Sequence, residues 1–250
     1  MVLSIAAFLF VFSIVVVVHE LGHFIVARKL GVEVGEFSVG FPLSPRLCTL
    51  FRHRGTEFTL RLLPLGGFVR FSDAAVLDGH GRGAPSRPAR AAIMAAGAVC
   101  NMGFAWAVFF VFFLIAAGSQ PVEALGASLS TLGDMTLRTV LLPLSILSGQ
   151  GGLGAVAGPV GIASMAGKAA EQGLMSLWFF TGALSVSLGI VNLFPLPALD
   201  GGRLAMLAVE IVVGKQPSPK VRQLVTAAGL VLFLVLSLAV TVKDIVSLTA

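Results

Sequence analysis

VVVVHELGHFIVARK, residues Val15–Lys29, sets two histidines and a glutamate inside a run that is otherwise apolar until its basic end. Ionisable groups are expensive in hydrocarbon, and where they occur they mark a functional site by default. His19 and His23 are four residues apart, so on a helix they share one face, with Glu20 beside them. His19-Glu20-Leu21-Gly22-His23 is thus an HExxH pattern: two imidazoles that reach one zinc ion and a carboxylate next to it. The competing reading is a pair of histidines hydrogen-bonded between helices. It leaves three polar groups in a valine run to find partners by chance.

The rest of the chain carries the same signal. Hydrophobic residues make up 56% of the 250 and charged residues 12%, with a mean hydropathy of +0.97. A soluble domain carries about 25% charged residues, so this is an integral membrane protein. Runs able to span a bilayer cover Val2–Leu30, Ala91–Ala117, Leu174–Phe194 and Leu224–Val242. The expectation is an all-α polytopic fold of four transmembrane helices, forming a single domain over residues 1–250. The first run lacks a charged leading segment and a small-residue cleavage site before Arg28-Lys29, which argues against a removable signal peptide.

Charge distribution sets the expected topology. Residues 31–90 carry eight Arg or Lys, and Arg203, Lys215, Lys220 and Arg222 follow the third run. Between the second and third runs there are only Arg138 and Lys168. The positive-inside rule then puts the first and third loops in the cytoplasm and both termini outside, in a bacterial inner membrane. The formal charge of +5 is spread along loops without a nucleic-acid-binding motif, so no nucleic-acid partner is expected. Cys48 and Cys100 lie far apart and suggest neither a disulfide framework nor a thiolate metal site.

A catalytic zinc needs a third protein ligand and an open position. Two Leu-Asp-Gly triplets are candidates. Asp78 lies in the polar stretch DGHGRGAPSRP, where a solvated aspartate needs no explanation. Asp200 ends VNLFPLPALD, where Pro195 and Pro197 break a helix and the backbone is expected to run unwound toward Arg203. Unwound backbone at membrane depth is tolerated where it lines a cavity, which favours Asp200. His19 would lie roughly 17 Å inside the end of its helix at Gly31. His53 and His80 are read as solvated loop residues rather than a second metal site, and the loops around His53 and Asp73 as cover for a water channel.

At this point the chain resembles the site-2 protease family of intramembrane zinc metalloproteases, more closely its RseP-like branch. The resemblance rests on HELGHFIVARKLGVEVGEFSVGF at the first helix, PLGGFVR at residues 64–70, AAIMAAGAVCNM at Ala91–Met102, GPVGIA at Gly158–Ala163 and NLFPLPALDGG at Asn192–Gly202. It implies Zn2+ held by His19, His23 and Asp200, with Glu20 as the catalytic carboxylate. It also implies cleavage of transmembrane protein or signal-peptide substrates within the lipid bilayer. Asn192 is implied to face the substrate, and the Pro195–Pro197 turn and the Gly66–Gly67 bend join it as candidate substrate contacts. Asn101 reads instead as a packing residue beside Gly97 and Gly103.

A peptide bond in a helix is shielded by its own hydrogen bonds, so the substrate must be held extended. Residues 57–71, EFTLRLLPLGGFVRF, alternate enough for a small membrane-associated β-hairpin bent at Gly66-Gly67, whose edge could add a substrate strand. Leu132–Leu147 reads as an amphipathic surface helix interrupted near Pro143, or a lid. RseP-like proteins carry PDZ domains between the second and third helices; residues 118–173 are too few and too apolar for one. The rival functions are a non-catalytic binding protein, against which an intact Glu20 argues, and a metal or ion transporter, which would need a polar path that the second and fourth runs do not offer.

Overall fold

Backbone polar groups in hydrocarbon must pair within their own segment, and the apolar runs do so as long helices. The computed structural model describes residues 1–63, 66–72, 84–116, 118–148 and 156–249. In chain order its elements are α1 (Val2–Lys29), β1 (Val34–Val39), β2 (Arg46–His53), β3 (Thr56–Arg61), β4 (Gly67–Phe71), α2 (Arg87–Ile115), α3 (Pro121–Leu147), α4 (Pro159–Glu171), α5 (Leu174–Leu193), α6 (Asp200–Val213) and α7 (Pro219–Thr249). Four of these, α1, α2, α5 and α7, are long and apolar enough to cross a membrane. They coincide with the four runs read from sequence. Asp73, Asp78 and His80 lie outside the described residues.

The ends of the helices follow their local sequence. Ser86 caps α2 by accepting from the Ala89 N–H at 3.4 Å, and Pro88 occupies its first turn, where a missing N–H costs nothing. Arg28 and Lys29 close α1, where cations complement the helix dipole. α6 stops at Gly214, whose φ of +73° is a left-handed cap.

Two apolar clusters hold the elements together. Ala27, Val32, Val34, Ile93, Met94 and Leu207 meet where α1, β1, α2 and α6 converge. Ala105, Val108, Phe109, Val186 and Ile190 seal α2 against α5, with Leu132 and Met135 of α3 laid over them. α3 is therefore packed on the bundle, and it runs through Pro143 without interruption. Pro143 forfeits its own bond to the Thr139 carbonyl, and the helix continues past it for four residues to Leu147.

The expected hairpin over residues 57–71 is also corrected. Residues 57–61 and 67–71 belong to different strands that do not pair with each other. The sheet has the order β2-β3-β1-β4. β1 lies between them, parallel to β3 with Phe37 opposite Phe58 and antiparallel to β4 with Phe37 opposite Val69. The hairpin is β2–β3, turning at Arg54-Gly55, both with positive φ. Its pin is Glu36, 3% exposed, which accepts from Thr59 Oγ1 at 2.7 Å and pairs with Arg61 and Arg46 at 3.2 Å and Arg70 at 2.8 Å. Burial pushes the Glu36 carboxyl up, but the Thr59 hydroxyl and the three guanidinium groups outweigh it and hold it below the ordinary carboxylate range.

Between α2 and α5 the described residues form α3 and α4 and no strand. α7 touches the remainder chiefly through Asp244, whose Oδ2 accepts from the Gly158 and Gly161 N–H groups at 2.8 Å each, and through Gly229, against which Pro197 is pressed.

Candidate metal centre

The buried residues of α1 are Ala7, Val11, Val15, His19, Gly22, His23 and Ala27. This is an inward stripe of helical spacing in which two imidazoles take positions that valines hold above them. His19 and His23 are 6% and 8% exposed, and their Nε2 atoms stand 3.2 Å apart. Asp200 enters from α6, its Oδ2 2.9 Å from His19 Nε2 and 3.0 Å from His23 Nε2.

Three donors of this kind around one tetrahedral zinc, at metal–ligand distances near 2.0–2.1 Å, stand about 3.3 Å from one another. The observed separations differ from that by a few tenths of an ångström, so the set fits zinc with a small spreading of side chains. Among the described residues this is the one group of three or more such side chains able to share a metal. His53 is exposed on β2 and takes no part.

α6 begins at Asp200 itself, so the unwound stretch ends at Leu199 rather than running on to Arg203. Asp200 thereby sits in the first helical turn, where a carboxylate meets the positive end of the dipole. α6 is tied to α2 by Glu210, which accepts from Arg90 at 2.7 Å and Arg87 at 3.1 Å. The Arg90 hydrogen bond, with that of Arg87 behind it, holds the Glu210 carboxyl below its ordinary value despite burial. The third donor of the cluster is thus fixed from the opposite end of its own helix.

α2 approaches the histidines with a bare backbone at Gly97. A Cβ there would lie 2.5 Å from His23 Nε2 and 2.6 Å from His19 Cε1 and Nε2, so only glycine lets the two helices close. His23 Nδ1 donates to the Ile93 carbonyl of α2 at 2.7 Å. His19 Nδ1 faces Asn101, one turn further along α2, at 3.4 Å from Nδ2. Asn101 therefore touches the site as well as packing, a role its apolar context in the sequence concealed.

Glu20 lines the same cavity as the histidines and Asp200, and its Oε2 accepts the Val69 N–H of β4 at 3.0 Å. β4 is an edge strand, so the carboxylate is seated on the rim of the sheet. Gly67 is held against β1: a Cβ would come within 2.8 Å of the Ser38 carbonyl. Gly66 has a φ of +86°, and a Cβ would meet Val16 of α1 at 3.2 Å. Both glycines are required by the backbone path of β4 before any question of substrate arises.

The cluster opens into a cavity of about 360 Å³ walled by His19, Glu20, Asp200, Asn192, Phe68 and Val69. A water molecule occupies about 30 Å³ of liquid, so the space admits water together with a stretch of peptide. Asn192 lies on the wall as expected. From the Pro195–Pro197 turn onward the lining residues are Ala198 and Leu199, and neither proline is among them. Arg203 also reaches the cavity; its place in LDGGR, one turn beyond Asp200, was the available signal.

The model of peptidase family M50 matches residues 7–236 of the chain. A Nostoc sp. protein named as a zinc metalloprotease is 27% identical over 358 aligned positions, covering 99% of this chain and 97% of that protein. The chloroplastic membrane metalloprotease ARASP of Arabidopsis thaliana is 25% identical, over 95% of this chain and 78% of its own length. The zinc metalloprotease RasP of Geobacillus kaustophilus is 47% identical over 100 residues, 40% of this chain and 24% of that protein. The Nostoc alignment is more than a hundred positions longer than this 250-residue chain.

Proposed function

The chain belongs to peptidase family M50 and is a membrane zinc metalloprotease, and from that premise we propose that it cuts transmembrane segments of single-span proteins, remnant signal peptides included. His19, His23 and Asp200 hold the zinc, and Glu20 is the catalytic base. The observation that carries this reading is the meeting of three metal-ligating side chains from α1 and α6 at one point beside a carboxylate, on a helix apolar enough to span the bilayer.

Zinc bound there supplies Lewis acidity, making water a nucleophile near neutral pH and polarising a carbonyl oxygen. Glu20 takes the proton of the attacking water and delivers it to the leaving nitrogen, so no covalent enzyme intermediate is needed. The Val69 N–H fixes Glu20 for this task. Asn192, which also lines the cavity, holds a substrate carbonyl or the oxyanion that develops from it.

An unwound substrate segment adds to the edge of β4 at the positions that Glu20 leaves open and passes the cluster in extended form. This is supported by the position of that edge on the cavity wall, and main-chain pairing of this kind supplies affinity without demanding one sequence. The cavity faces the cytoplasmic side of a bacterial inner membrane with both termini outside, a reading that the basic end of α1 and the arginine-rich sheet support.

The decisive experiment measures zinc content and cleavage of a model single-span substrate by the purified protein beside Glu20→Gln in one detergent. Zinc in both with cleavage only in the parent is the expected result. Cleavage retained by Glu20→Gln overturns the assignment of the base, and absence of zinc from the parent overturns the ligand set.

A further inference from the structure

Each imidazole of the HExxH pair has an inner nitrogen, Nε2, turned to Asp200, and an outer one, Nδ1, turned to α2. The two outer nitrogens meet different partners. His23 Nδ1 has a backbone carbonyl, that of Ile93, which can only accept. His19 Nδ1 has the side-chain carboxamide of Asn101, presented through its Nδ2, which can only donate. Asn101 is 0% exposed, and its Oδ1 is buried with no hydrogen-bond partner among the described residues.

A neutral imidazole carries one proton. In the arrangement described, that proton sits on His19 Nε2 and is shared with Asp200 Oδ2, while Nδ1 accepts from Asn101. A histidine that ligates zinc through Nε2 must carry the proton on Nδ1 instead, and an N–H would then face an N–H. Half a turn of the carboxamide replaces Nδ2 by Oδ1, and the two ends of an amide are nearly equal in size.

The surroundings fix the backbone and Cβ of Asn101. The Asn101 backbone lies in α2 and accepts from Ser185 Oγ of α5 at 3.0 Å. Its Cβ faces Gly189, where an added Cβ would come within 3.2 Å. The reversal exchanges one unpaired buried end for the other, so the proton on His19 decides which end faces the ring.

We propose that Asn101 is a positioning residue for the metal centre: with zinc held through His19 Nε2, the carboxamide presents Oδ1, which accepts the His19 Nδ1–H and holds the ring with Nε2 toward the metal. Outer partners of this kind fix tautomer and orientation, and their loss typically costs about 10- to 100-fold in metal affinity. The inference rests on His19 being a zinc ligand.

The test uses the full chain in detergent, with zinc affinity read by competition against a chromophoric chelator and ligand geometry by the visible spectrum of the Co2+-loaded protein. Asn101→Leu removes the hydrogen bond at similar volume and is expected to bind zinc about 10- to 100-fold more weakly with an altered Co2+ spectrum. Asn101→Asp keeps an acceptor and loses the donor, and is expected within about threefold of the parent or tighter. Parental affinity and spectrum in Asn101→Leu overturn the proposal, as does an Asn101→Asp protein that has lost tenfold or more. Should the leucine variant not fold, the aspartate variant alone decides by the same threshold. A parent that binds no zinc refutes the ligand assignment itself, which His23→Ala tests separately, so the two failures are told apart.

Discussion

Gly97→Ala adds one methyl group at the point where α2 meets the histidines. The new carbon would lie 2.5 Å from His23 Nε2 and 2.6 Å from two atoms of His19, while non-bonded heavy atoms settle at about 3.5–4.0 Å. Roughly 1 Å of separation must therefore be found. In its favour, alanine in a helix interior is worth about 1 kcal/mol over glycine. Against it, overpacking a tight contact costs about 1–3 kcal/mol, so the clash equals or exceeds the gain.

The clash falls on the metal-facing atoms, and a zinc site tolerates ligand displacements of only about 0.2 Å. If the histidines yield, about 1–3 kcal/mol comes out of zinc binding, a loss of about 5- to 150-fold at 1.4 kcal/mol per tenfold. If α2 yields, zinc affinity holds and the unfolding temperature falls. Chelator competition together with thermal unfolding of the same detergent sample separates the two. A Gly97→Ala protein with parental zinc affinity, stability and cleavage would refute the close approach of α2 to the cluster.

Glu20→Gln should keep stoichiometric zinc and lose about 10²- to 10⁴-fold in cleavage, read by gel assay of a single-span substrate; a loss below tenfold would remove its role as base. Asp200→Ala and His23→Ala should each abolish stoichiometric zinc, measured by elemental analysis after desalting; metal retained by Asp200→Ala would mean that the third ligand lies elsewhere. Glu36→Gln should lower stability by about 1–3 kcal/mol through the sheet. The sign with pH follows from the depressed carboxyl: its contribution is full above the ordinary carboxylate pKa of about 4.3 and is lost as pH falls through the lower folded value. Thermal unfolding of parent and variant should therefore converge on acidification, and a constant gap would reject the link. Gly66→Leu should lower stability as well as cleavage, because φ is positive there; unchanged stability with lost cleavage would restore a direct substrate role.

The HExxH spacing was legible because helical periodicity is local: four residues return to the same face whatever lies around them. Asp200 was legible for a related reason, since two prolines in an apolar run announce a break that needs a purpose. The sheet was not, because parallel pairing of β1 with β3 depends on partners about twenty residues apart, and the alternation of residues 57–71 fits an isolated hairpin equally well. The start of α6 at Asp200 was hidden by Gly201-Gly202, which read as continued unwinding. Asn101 and Gly97 were visible as small or polar residues in an apolar helix, but what they face is decided by the register of α2 against α1, which no single segment encodes.

His19 and Asp200 are 181 residues apart in the chain. At about 5–20 residues per second, synthesis leaves the histidine pair waiting roughly 10–35 s for its third donor. During that interval α1 is already a membrane helix carrying an incomplete centre, and β4 reaches Glu20 well before Asp200 is made. On the proposed ligand set the centre cannot be complete before Asp200 is made, more than a hundred residues after β4.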